Sequence, residues 1–577
     1  MGSRVVHRHP VIARTLGGAA MAAALLAASA ATSQGWQRAP AFTVVEASIP
    51  AMRTAMEEKR VTSRDLVQQS LTRIAIYEDR LNAIVTVNPR ALEEADERDR
   101  ERRAGRVRGP LHGIPVAIKD NIQTTDMRTT GGALAFADLV PPYNATVTTQ
   151  LRAAGAVIIA KTQLTELANL VAVGMPTNYN SLTGYGFNPY DPRRDPRPAT
   201  ADGRPALAPG GSSSGVGTAV SFWAANVGTE TSGSIVNPAN QNMLVGIKPT
   251  VGRVSRYGII PITADQDTAG PMARSVTDAA ILLGALEGAR PDPNDAATSA
   301  CAPPPNRDYT RFLRRDALEG ARIGVPRAFF YDATPSPGAI GMTGGLNEPR
   351  KAVMNDAIAA LEAAGATVVD PANIPSIVAK DAAGSLLSWP ICSGSGNAKG
   401  RDQGCSIVFK YGMKRDFNAW LASLGPAAPV KTLSDLREWN RTHERAGTLK
   451  YGQAQLDISD EMDVAADRAR YLADREKDVR LTGREGIDAV LREHRLDALL
   501  FPSNFGANVA ARPGYPTVIV PFGTIPADPR PFPAGFNPRP SPFGVSFTGA
   551  ACSEPRLIEL AYAFEQATKR RVPPALQ

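Results

Sequence analysis

The sequence predicts an α/β protein, with one large domain whose central sheet is covered on both faces by helices. Short apolar runs alternate with stretches of helical periodicity, and this alternation indicates a sheet packed between helices. The composition, 43% hydrophobic and 21% charged, is ordinary for a soluble globular protein. A chain of 577 residues has room for several domains, but the segments that carry chemistry lie between residues 119 and 234 and must converge. We therefore predict one domain over 61–577, after a lead-in over 31–60.

The first elements of this domain are predicted from periodicity. A helix begins at Ser63 and directs Leu66, Ile74 and Leu81 to one face. Residues 83–87 are predicted to form a buried strand, and the charged stretch 90–103 a helix with a solvated outer face. Further elements are predicted at 113–119 (strand), 156–160 (strand), 351–364 (helix), 366–369 (strand), 434–495 (helical), 498–502, 517–521 and 544–547 (strands) and 554–568 (amphipathic helix).

Two segments without regular periodicity are assigned by composition and position. Residues 178–209 are rich in Pro, Gly and Asp and are predicted to form a surface loop. This loop is either a lip over the active-site pocket, since it leads directly into a serine-rich segment, or a tolerated insertion. Residues 385–424 are where we expect substrate selection, from their position alone.

Glycine and serine are concentrated at two points around an apolar run. The first point is 210–215 (GGSSSG) and the second is 229–234 (TETSGS), and the apolar run 216–227 can cross a core. Glycine permits close backbone approach, and serine supplies a nucleophile or a proton carrier. A flexible linker is disfavoured by the aromatic pair Phe222-Trp223 inside the run. A phosphate-binding loop is disfavoured because the Gly-Lys-Ser/Thr ending is missing.

A serine nucleophile needs a base that accepts its proton. Of the five histidines, His112 and His494 are the candidates for a Ser-His-Asp triad, although no local motif supports either. The better candidate is Lys119, at the end of the apolar run GIPVAIK, because burial lowers the pKa of an ammonium group. The alternative is a strand-end lysine whose amine reaches solvent.

The segments GIPVAIKDNI, GGSSSG and GTETSGSI, in this order, resemble the amidase signature family of serine hydrolases, and bacterial peptide amidases and related linear amidases most of all. The resemblance extends over 251–255 and 266–274 and recurs weakly at the C-terminus. It implies a mixed central sheet and a Ser-cisSer-Lys triad, which falls on Ser234, Ser212 and Lys119, with a cis peptide bond at Ser212. It also implies an oxyanion hole formed by backbone N–H groups around Thr231, Ser232, Gly233 and Ser234.

Two features depart from the family pattern. Ser234 follows Ser212 by 22 positions, which is a shorter spacing than the family's, and Ser232 stands where Asp or Gly is commoner. The shortening falls within the apolar run, so the exit of that run and the placement of Ser212 have to be checked in the structure.

Three functions are compatible with these residues. The first is hydrolysis of a linear carboxylic amide, such as a peptide C-terminal amide, through a serine acyl-enzyme. The second is a glutaminase-like subunit of a tRNA-dependent amidotransferase, which would act within a complex. The third is a catalytically silent binding protein on the same fold, disfavoured because Lys119, Ser212 and Ser234 are all present.

The N-terminus and the cysteines indicate an exported protein. Residues 1–30 combine basic residues, a small apolar stretch and Ala28-Ser29-Ala30 as a cleavage site, as in a signal peptide. We therefore expect a secreted or periplasmic protein, with no integral membrane segment after the leader. Cys392 and Cys405 bracket a polar loop that a disulfide could close, whereas Cys301 and Cys552 are unpaired or paired over a long range.

Charge and ligand spacing restrict the partners. The net charge is +8, of which Arg4, Arg8 and Arg14 in the leader supply 3. No basic block with interleaved aromatics is present, so a nucleic acid partner is not implied. The cysteines lack metal-ligand spacing, and we expect no metal or cofactor. A small-molecule or peptide amide is the expected substrate, and the protein is expected to be a monomer or homodimer.

Overall fold

The computed structural model describes residues 1–2, 42–527 and 530–576. Residues 3–30 of the predicted leader, with its cleavage site at 28–30, lie outside the described residues, as do residues 31–41 of the lead-in. The description below concerns the unit that extends from Thr43 toward the C-terminus.

In the described part of the chain, eleven strands form one mixed sheet in the order β1-β3-β2-β6-β8-β7-β14-β15-β13-β9-β12, and two short hairpins, β4-β5 and β10-β11, lie apart from it. This sheet and the helices that flank it confirm the predicted α/β class. The strands are β1 Ile84–Val87, β2 Pro115–Lys119, β3 Val157–Thr162, β4 Tyr179–Asn180, β5 Gly184–Tyr185, β6 Ala225–Glu230, β7 Val245–Lys248, β8 Thr268–Ala273, β9 Arg322–Gly324, β10 Thr334–Pro335, β11 Met342–Thr343, β12 Thr367–Val369, β13 Ala498–Pro502, β14 Thr517–Ile525 and β15 Ser541–Thr548.

Helices connect these strands, and those predicted from Ser63 and at 90–103, 351–364, 434–495 and 554–568 are present, the fourth as several shorter helices. They are α1 Ile49–Glu57, α2 Ser63–Leu81, α3 Ala91–Arg103, α4 Thr146–Ala153, α5 Val216–Ala219, α6 Val236–Gln241, α7 Val276–Leu286, α8 Arg327–Phe330 (a distorted turn), α9 Glu348–Ala363, α10 Pro375–Val378, α11 Val408–Ser423, α12 Leu433–Thr442, α13 Ala454–Asp460, α14 Arg468–Val479, α15 Asp488–His494, α16 Ala507–Ala511 and α17 Glu554–Thr568, with a π-helix at Arg480–Ile487 between α14 and α15. Over the ranges that the structure describes, no helix has the length and apolarity needed to cross a membrane.

Three parallel strands set the position of the site. β2 lies between β3 and β6 and is parallel to both, with Ile118 opposite Val227 on β6. Carboxyl ends of parallel strands meet at one edge of a sheet, where open α/β sheets place their ligands. The end of β2 at Lys119 and the end of β6 at Glu230 therefore bring the two predicted motifs to the same edge.

Two of the sequence predictions near β1 need correction. Residues 83–87 form an edge strand that pairs only with β3, and Val87 is exposed, so the strand is not fully buried. The charged helix α3 is not wholly solvated, because Arg98 and Asp99 are buried. The Asp99 carboxylate accepts hydrogen bonds from the backbone N–H groups of Ser63 and Arg64, so it satisfies the first turn of α2.

The segment 178–209 is irregular as predicted, but it is only partly a surface loop. It contains the small β4-β5 hairpin, and Asn178, Asn180 and Asn188 are completely buried. Their side-chain amides donate hydrogen bonds to backbone carbonyls of neighbouring segments, which is what allows these polar side chains to be buried.

All four cysteines form disulfides. Cys392 pairs with Cys405, as the sequence allowed, and Cys301 pairs with Cys552 across 251 positions. The second bond links the segment after α7 to the turn before α17, which brings the final helix against the middle of the chain.

Candidate active site

Lys119 ends β2 in a completely buried position among oxygen atoms. Its Nζ lies 2.9 Å from Ser212 Oγ and 2.9 Å from Thr229 Oγ1, with the Thr229 carbonyl oxygen at 3.4 Å. Asn121 supports this arrangement, because its Nδ2 donates a hydrogen bond of 3.0 Å to Thr229 Oγ1. The amine therefore contacts neutral groups, two of which are hydroxyls that can donate or accept.

The buried position changes the proton affinity of Lys119. Burial lowers the pKa of its ammonium group from the ordinary 10.5 to about 7, against the opposing effect of the negative charges of Asp267 and Glu230. An amine with a pKa near 7 is partly neutral at physiological pH and can accept a proton. The predicted burial of Lys119 is therefore present, and its amine does not reach solvent.

The three serines of GGSSSG have different surroundings. Ser212 Oγ faces the lysine. Ser213 Oγ bonds to the backbone of Thr229, donating to its carbonyl oxygen at 3.1 Å and accepting from its N–H at 3.2 Å. Ser214 Oγ is buried without a hydrogen-bond partner. Ser213 thus fastens the loop to β6, which leaves Ser212 as the serine of this loop that can exchange a proton with Lys119.

The loop that carries Ser212 is held from three sides. Asn178 Nδ2 donates to the carbonyl oxygens of Gly210, Gly211 and Ser213. The Ser212 carbonyl accepts a hydrogen bond of 3.2 Å from the N–H of Thr165, just after β3. Gly210 has φ +90°, and a Cβ there would lie 2.7 Å from Pro238 Cα, so only glycine fits without displacement of the backbone.

The shortened apolar run is accommodated by a one-turn helix. α5 covers only Val216–Ala219, and the chain then turns through Ser221, at φ +59°, to enter β6. The Trp223 indole packs on Gly217, where a Cβ would lie 2.1 Å from the ring, and its Nε1 donates to Thr218 Oγ1. The run is thus buried as predicted, and its shorter length still leaves Ser212 beside Lys119.

The second serine-rich segment forms a turn between β6 and α6. Glu230 Oε2 accepts hydrogen bonds from the N–H groups of Ile235 and Val236, which closes the turn. Thr231 Oγ1 donates to Asp267, whose other carboxylate oxygen accepts from two backbone N–H groups. Burial raises the pKa of Asp267 to about 7. Gly233 has φ +86°, and Ser234 follows it, nine-tenths buried.

Two cavities adjoin this turn. One, of about 240 Å³, is lined by Ser234, Ser232 and Thr231 together with Leu170, Ile262, Ile391, Phe409 and Ile458. The other, of about 340 Å³, shares Ser232 and Asn508 with the first and is lined by Gly233, Phe329 and Phe505. Ser234 thus opens on a cavity lined by both polar and apolar residues. Ile391, Cys392, Ser393, Phe409 and Lys410 of this lining come from 385–424, the segment in which we expect substrate selection.

The segment 178–209 does not contribute to either cavity. Its residues line a separate surface cavity of about 440 Å³, and its buried Asn178 supports the Ser212 loop through hydrogen bonds to the loop carbonyls. The structure therefore does not support the interpretation of this segment as a lip over the cavity beside Ser234.

The histidine alternative is not supported by the geometry. His112 is completely buried, and its Nε2 lies 2.9 Å from the carbonyl oxygen of Arg98. His494 ends α15 and its carbonyl accepts hydrogen bonds from Arg322. Neither ring is hydrogen-bonded to Ser212 or Ser234.

The cis peptide bond implied at Ser212 is not found. Within the described ranges the one cis peptide bond is Asp370–Pro371. A trans bond is the lower-energy form for any residue other than proline. Ser212 reaches Lys119 without it.

The sequence did not single out several residues that shape the site. Thr229 and Asn121 orient the lysine, Asp267 holds Thr231, and Asn178 holds the Ser212 loop. Asn121 and Thr229 lie inside the recognised motifs, so their polarity was a usable signal. Asn178 lies in a Pro- and Gly-rich segment, and no sequence signal marked it as a residue that supports the site. Over the described ranges no group of His, Cys, Asp and Glu is arranged to hold a metal ion.

Known proteins resemble this chain over most of its length. The sequence profile of the family described as Amidase matches residues 65–558. A probable amidase of Arabidopsis thaliana is 33% identical over 544 residues, covering 92% of each chain. The X-ray structure of the native peptide amidase of Stenotrophomonas maltophilia has a TM-score of 0.74 and 36% identity, covering 92% of this chain and 98% of that one. A glutamyl-tRNA(Gln) amidotransferase subunit of a Synechococcus species is 32% identical over 533 residues, covering 90% of this chain and 97% of that one.

The fold, the motifs and these relatives define a class of protein. The chain belongs to the amidase family, as its three signature segments predicted. It is an amide-hydrolysing enzyme.

Proposed function

We propose that this enzyme hydrolyses linear carboxylic amides through an acyl-enzyme on Ser234, with Ser212 as proton relay and Lys119 as base. The observation that carries this proposal is the contact of 2.9 Å between Lys119 Nζ and Ser212 Oγ in a buried setting that lowers the lysine pKa to about 7. A base in such a state can take a proton at neutral pH without a histidine.

The proton follows the hydroxyls in both directions. Neutral Lys119 accepts the proton of Ser212, Ser212 accepts that of Ser234, and the Ser234 oxygen attacks the amide carbonyl. The relay then reverses, so that the proton reaches the departing nitrogen as the C–N bond breaks. Water hydrolyses the resulting ester by the same relay, releasing the acid and restoring Ser234.

The backbone of the Ser234 turn is suited to an oxyanion. Among the described residues, the N–H groups of Ser232, Gly233 and Ser234 find no protein acceptor. Glu230 and Asp267 hold the turn on either side, so these groups are fixed before substrate binds. Preorganised donors of this kind stabilise the charge that develops on a carbonyl oxygen during acyl transfer.

The cavity beside Ser234 favours an uncharged acyl group. The one charged residue of its lining is Lys410, which is buried with its Nζ bound to Asp402 and to the carbonyl of Asn397, so no free charge faces the substrate. We propose C-terminally amidated peptides as the substrate class. The Stenotrophomonas maltophilia protein, 36% identical and described as a native peptide amidase, supports this assignment.

A second candidate is the glutaminase-like subunit of an amidotransferase, supported by the Synechococcus relative. Free glutamine carries an ammonium and a carboxylate group. The charged residue in the cavity lining, Lys410, is already paired, so the cavity offers these groups no counter-charge. Release of ammonia from glutamine at a rate equal to that from peptide amides, together with a co-purifying partner protein, would reverse this preference.

Covalent labelling tests the assignment of Ser234. A fluorophosphonate probe should modify Ser234 in the wild-type enzyme, as read by peptide mass spectrometry. Ser234→Ala should lose the label, whereas the matched variant Ser232→Ala should keep it on Ser234. Modification of Ser232 or Ser213 in the wild-type protein would contradict the proposal, since Ser213 is fastened to β6 and Ser232 has no link to the relay.

We also propose that the enzyme is exported, on the basis of residues 1–30 and the two disulfides, which persist in oxidising compartments. N-terminal sequencing of the protein secreted by its host should then begin near Ala31. An intact Met1 on that protein would contradict export by cleavage.

A further inference from the structure

One polar side chain in the wall of the Ser234 cavity has no role in the relay. Gln455 lies near the start of α13 and lines the cavity together with Ile458 and Ser459. Residues three and four positions apart share one face of a helix. This face of α13 therefore presents a carboxamide, an apolar group and a hydroxyl to the cavity that Ser234 also lines.

The carboxamide of Gln455 is unsatisfied. Its Oε1 is buried and has no hydrogen-bond partner, and it is the one buried side-chain polar atom without a partner among the residues that line this cavity. Three other polar side chains of the lining have partners: Lys410 binds Asp402, Thr231 binds Asp267, and Ser459 Oγ donates to the Gln455 carbonyl. Burial of an acceptor without a donor is unfavourable, so a ligand that supplies the donor removes that penalty.

A backbone hydrogen bond holds Gln455 at the start of α13. The Gln455 N–H donates a hydrogen bond of 3.1 Å to the carbonyl of Val171. The chain just before Val171 contains three consecutive residues in the left-handed region, Leu167, Ala168 and Asn169. Ala168, Asn169 and Leu170 also line the cavity. The hydrogen bond thus ties the start of α13 to the segment that supplies Ala168, Asn169 and Leu170 to the same lining.

We propose that Gln455 forms a subsite for a second amide group of the substrate, on the acyl side of the bond that is cleaved. A peptide group presents an N–H and a C=O, which match the two ends of a carboxamide. The apolar residues of the lining, among them Leu170, Ile262 and Ile458, suit the side chain of the same residue. The inference rests on the proposed function: the preferred substrate is an N-acylated amino acid amide, bound through its own peptide group as well as its scissile amide.

Three compounds isolate this contact. N-acetyl-L-leucinamide carries the second amide, its ester analogue 2-acetoxy-4-methylpentanamide lacks only the N–H, and 4-methylpentanamide lacks the whole group. Ammonia release should give the wild-type enzyme a kcat/KM about tenfold higher for the first compound than for the ester, the value of one hydrogen bond to a buried partner. The difference should appear in KM, because the contact is made before and during the reaction alike.

The variant Gln455→Met keeps the length of the side chain and removes its hydrogen bonding. It should abolish the preference for N-acetyl-L-leucinamide over the ester. Gln453 provides the matched control, because its carboxamide bonds to Asn440 and to the Arg437 carbonyl and it is not part of the cavity lining. The variant Gln453→Met should retain the preference. If Gln455→Met lowers turnover of all three compounds by the same factor, Gln455 is only structural and the subsite is wrong.

Binding separates this inference from the proposed function. Calorimetry on Ser234→Ala should show N-acetyl-L-leucinamide binding more tightly than the ester, and Ser234→Ala/Gln455→Met should bind the two equally. Preferential binding without turnover by the wild-type enzyme would contradict the proposed reaction and leave the subsite standing. Turnover with no preference between the two compounds would contradict the subsite and leave the proposed reaction standing.

Discussion

Two buried lysines lie on neighbouring strands of the sheet and differ in what they contact. Lys119 ends β2, and Lys161 is the penultimate residue of β3, opposite Ile118. Both are completely buried. Lys161 Nζ donates hydrogen bonds to Thr129 Oγ1 and the Arg128 carbonyl, and lies 3.2 Å from the carboxylate of Asp120. Lys119 Nζ contacts the hydroxyls of Ser212 and Thr229 and no carboxylate.

The difference shows that the contacts of a buried amine decide what it can do. Burial lowers the pKa of both lysines, and for Lys161 the charge of Asp120, in direct contact, opposes that effect. A carboxylate beside an ammonium stabilises the charged form, and removing either partner leaves a buried charge. Hydroxyls accept from an ammonium and donate to an amine, so they support both protonation states. The first arrangement suits a structural ion pair and the second suits a base.

The largest expected effect is the loss of activity when the base is removed. Lys119→Met should lower kcat/KM for an amide substrate by at least about 10²–10⁴-fold, the usual contribution of general acid–base catalysis. Lys119→Arg should be nearly as damaging, because a guanidinium stays protonated. Lys161→Met should retain most of its activity per folded molecule. Near-normal turnover by Lys119→Met would contradict the comparison, and loss of activity in His112→Ala would then point to a histidine base.

The second effect is on stability, and here the substitution of Lys161 should have the larger effect and that of Lys119 the smaller. Lys161→Met should reduce the free energy of unfolding by about 3–5 kcal/mol, because it leaves Asp120 buried without its ion-pair partner. Urea denaturation measures this, and Lys161→Met/Asp120→Asn is the control that should recover part of the loss. Lys119→Met should not destabilise, since no carboxylate contacts the amine. A stable Lys161→Met and an unstable Lys119→Met would reverse the assignment of the two sites.

The third effect is on pH dependence. If Lys119 is the base, it acts in its neutral form, and kcat/KM should rise with pH through a limb near 7, the pKa of Lys119 in the folded enzyme. Between about 7 and 10.5 the unfolded chain binds more protons at this residue than the folded one, so wild-type stability gains with rising pH in that window. The stabilisation of Lys119→Met relative to wild type should therefore be largest below about pH 7 and shrink toward pH 10.5. A flat difference in melting temperature across this range would show that Lys119 is not perturbed.

The smallest effect concerns Asp267, which does not contact the lysine but raises its pKa through its charge. Asp267→Asn keeps a carbonyl oxygen for the N–H groups of Ile262 and Thr263 and removes the negative charge. The activity limb should move to lower pH. Asp416→Asn, near Asp267 but not among the charges that act on Lys119, is the matched control and should leave the limb in place. A limb that stays fixed in Asp267→Asn would show that another group governs it.

Local sequence patterns predicted the positions of helices and strands better than they predicted the burial and tertiary contacts of those elements. The periodicity from Ser63 and the amphipathic run 554–568 predicted α2 and α17 well, because an apolar face and its caps are encoded within a few turns. Residues 83–87 were predicted as buried because they are apolar, but β1 is an edge strand, and position in a sheet depends on partners from distant parts of the chain. The segment 178–209 was assigned to the surface from its Pro and Gly content, which does not reveal that its asparagines bind distant carbonyls.

The sequence by itself determined the family and the α/β class and was enough to propose Ser234, Ser212 and Lys119 as the relay, because short motifs with local chemistry carry this information. Only the tertiary structure decided which hydroxyl faces the lysine. It also showed that Ser213 is hydrogen-bonded to the backbone of β6 and that Gln455 lines the cavity with an Oε1 that has no hydrogen-bond partner. Lys119 and Ser212 are 93 positions apart, and Lys119 and Thr229 are 110. Contacts over such separations arise from the order and direction of the strands, which no local pattern contains, and they set the burial on which the pKa of the base depends.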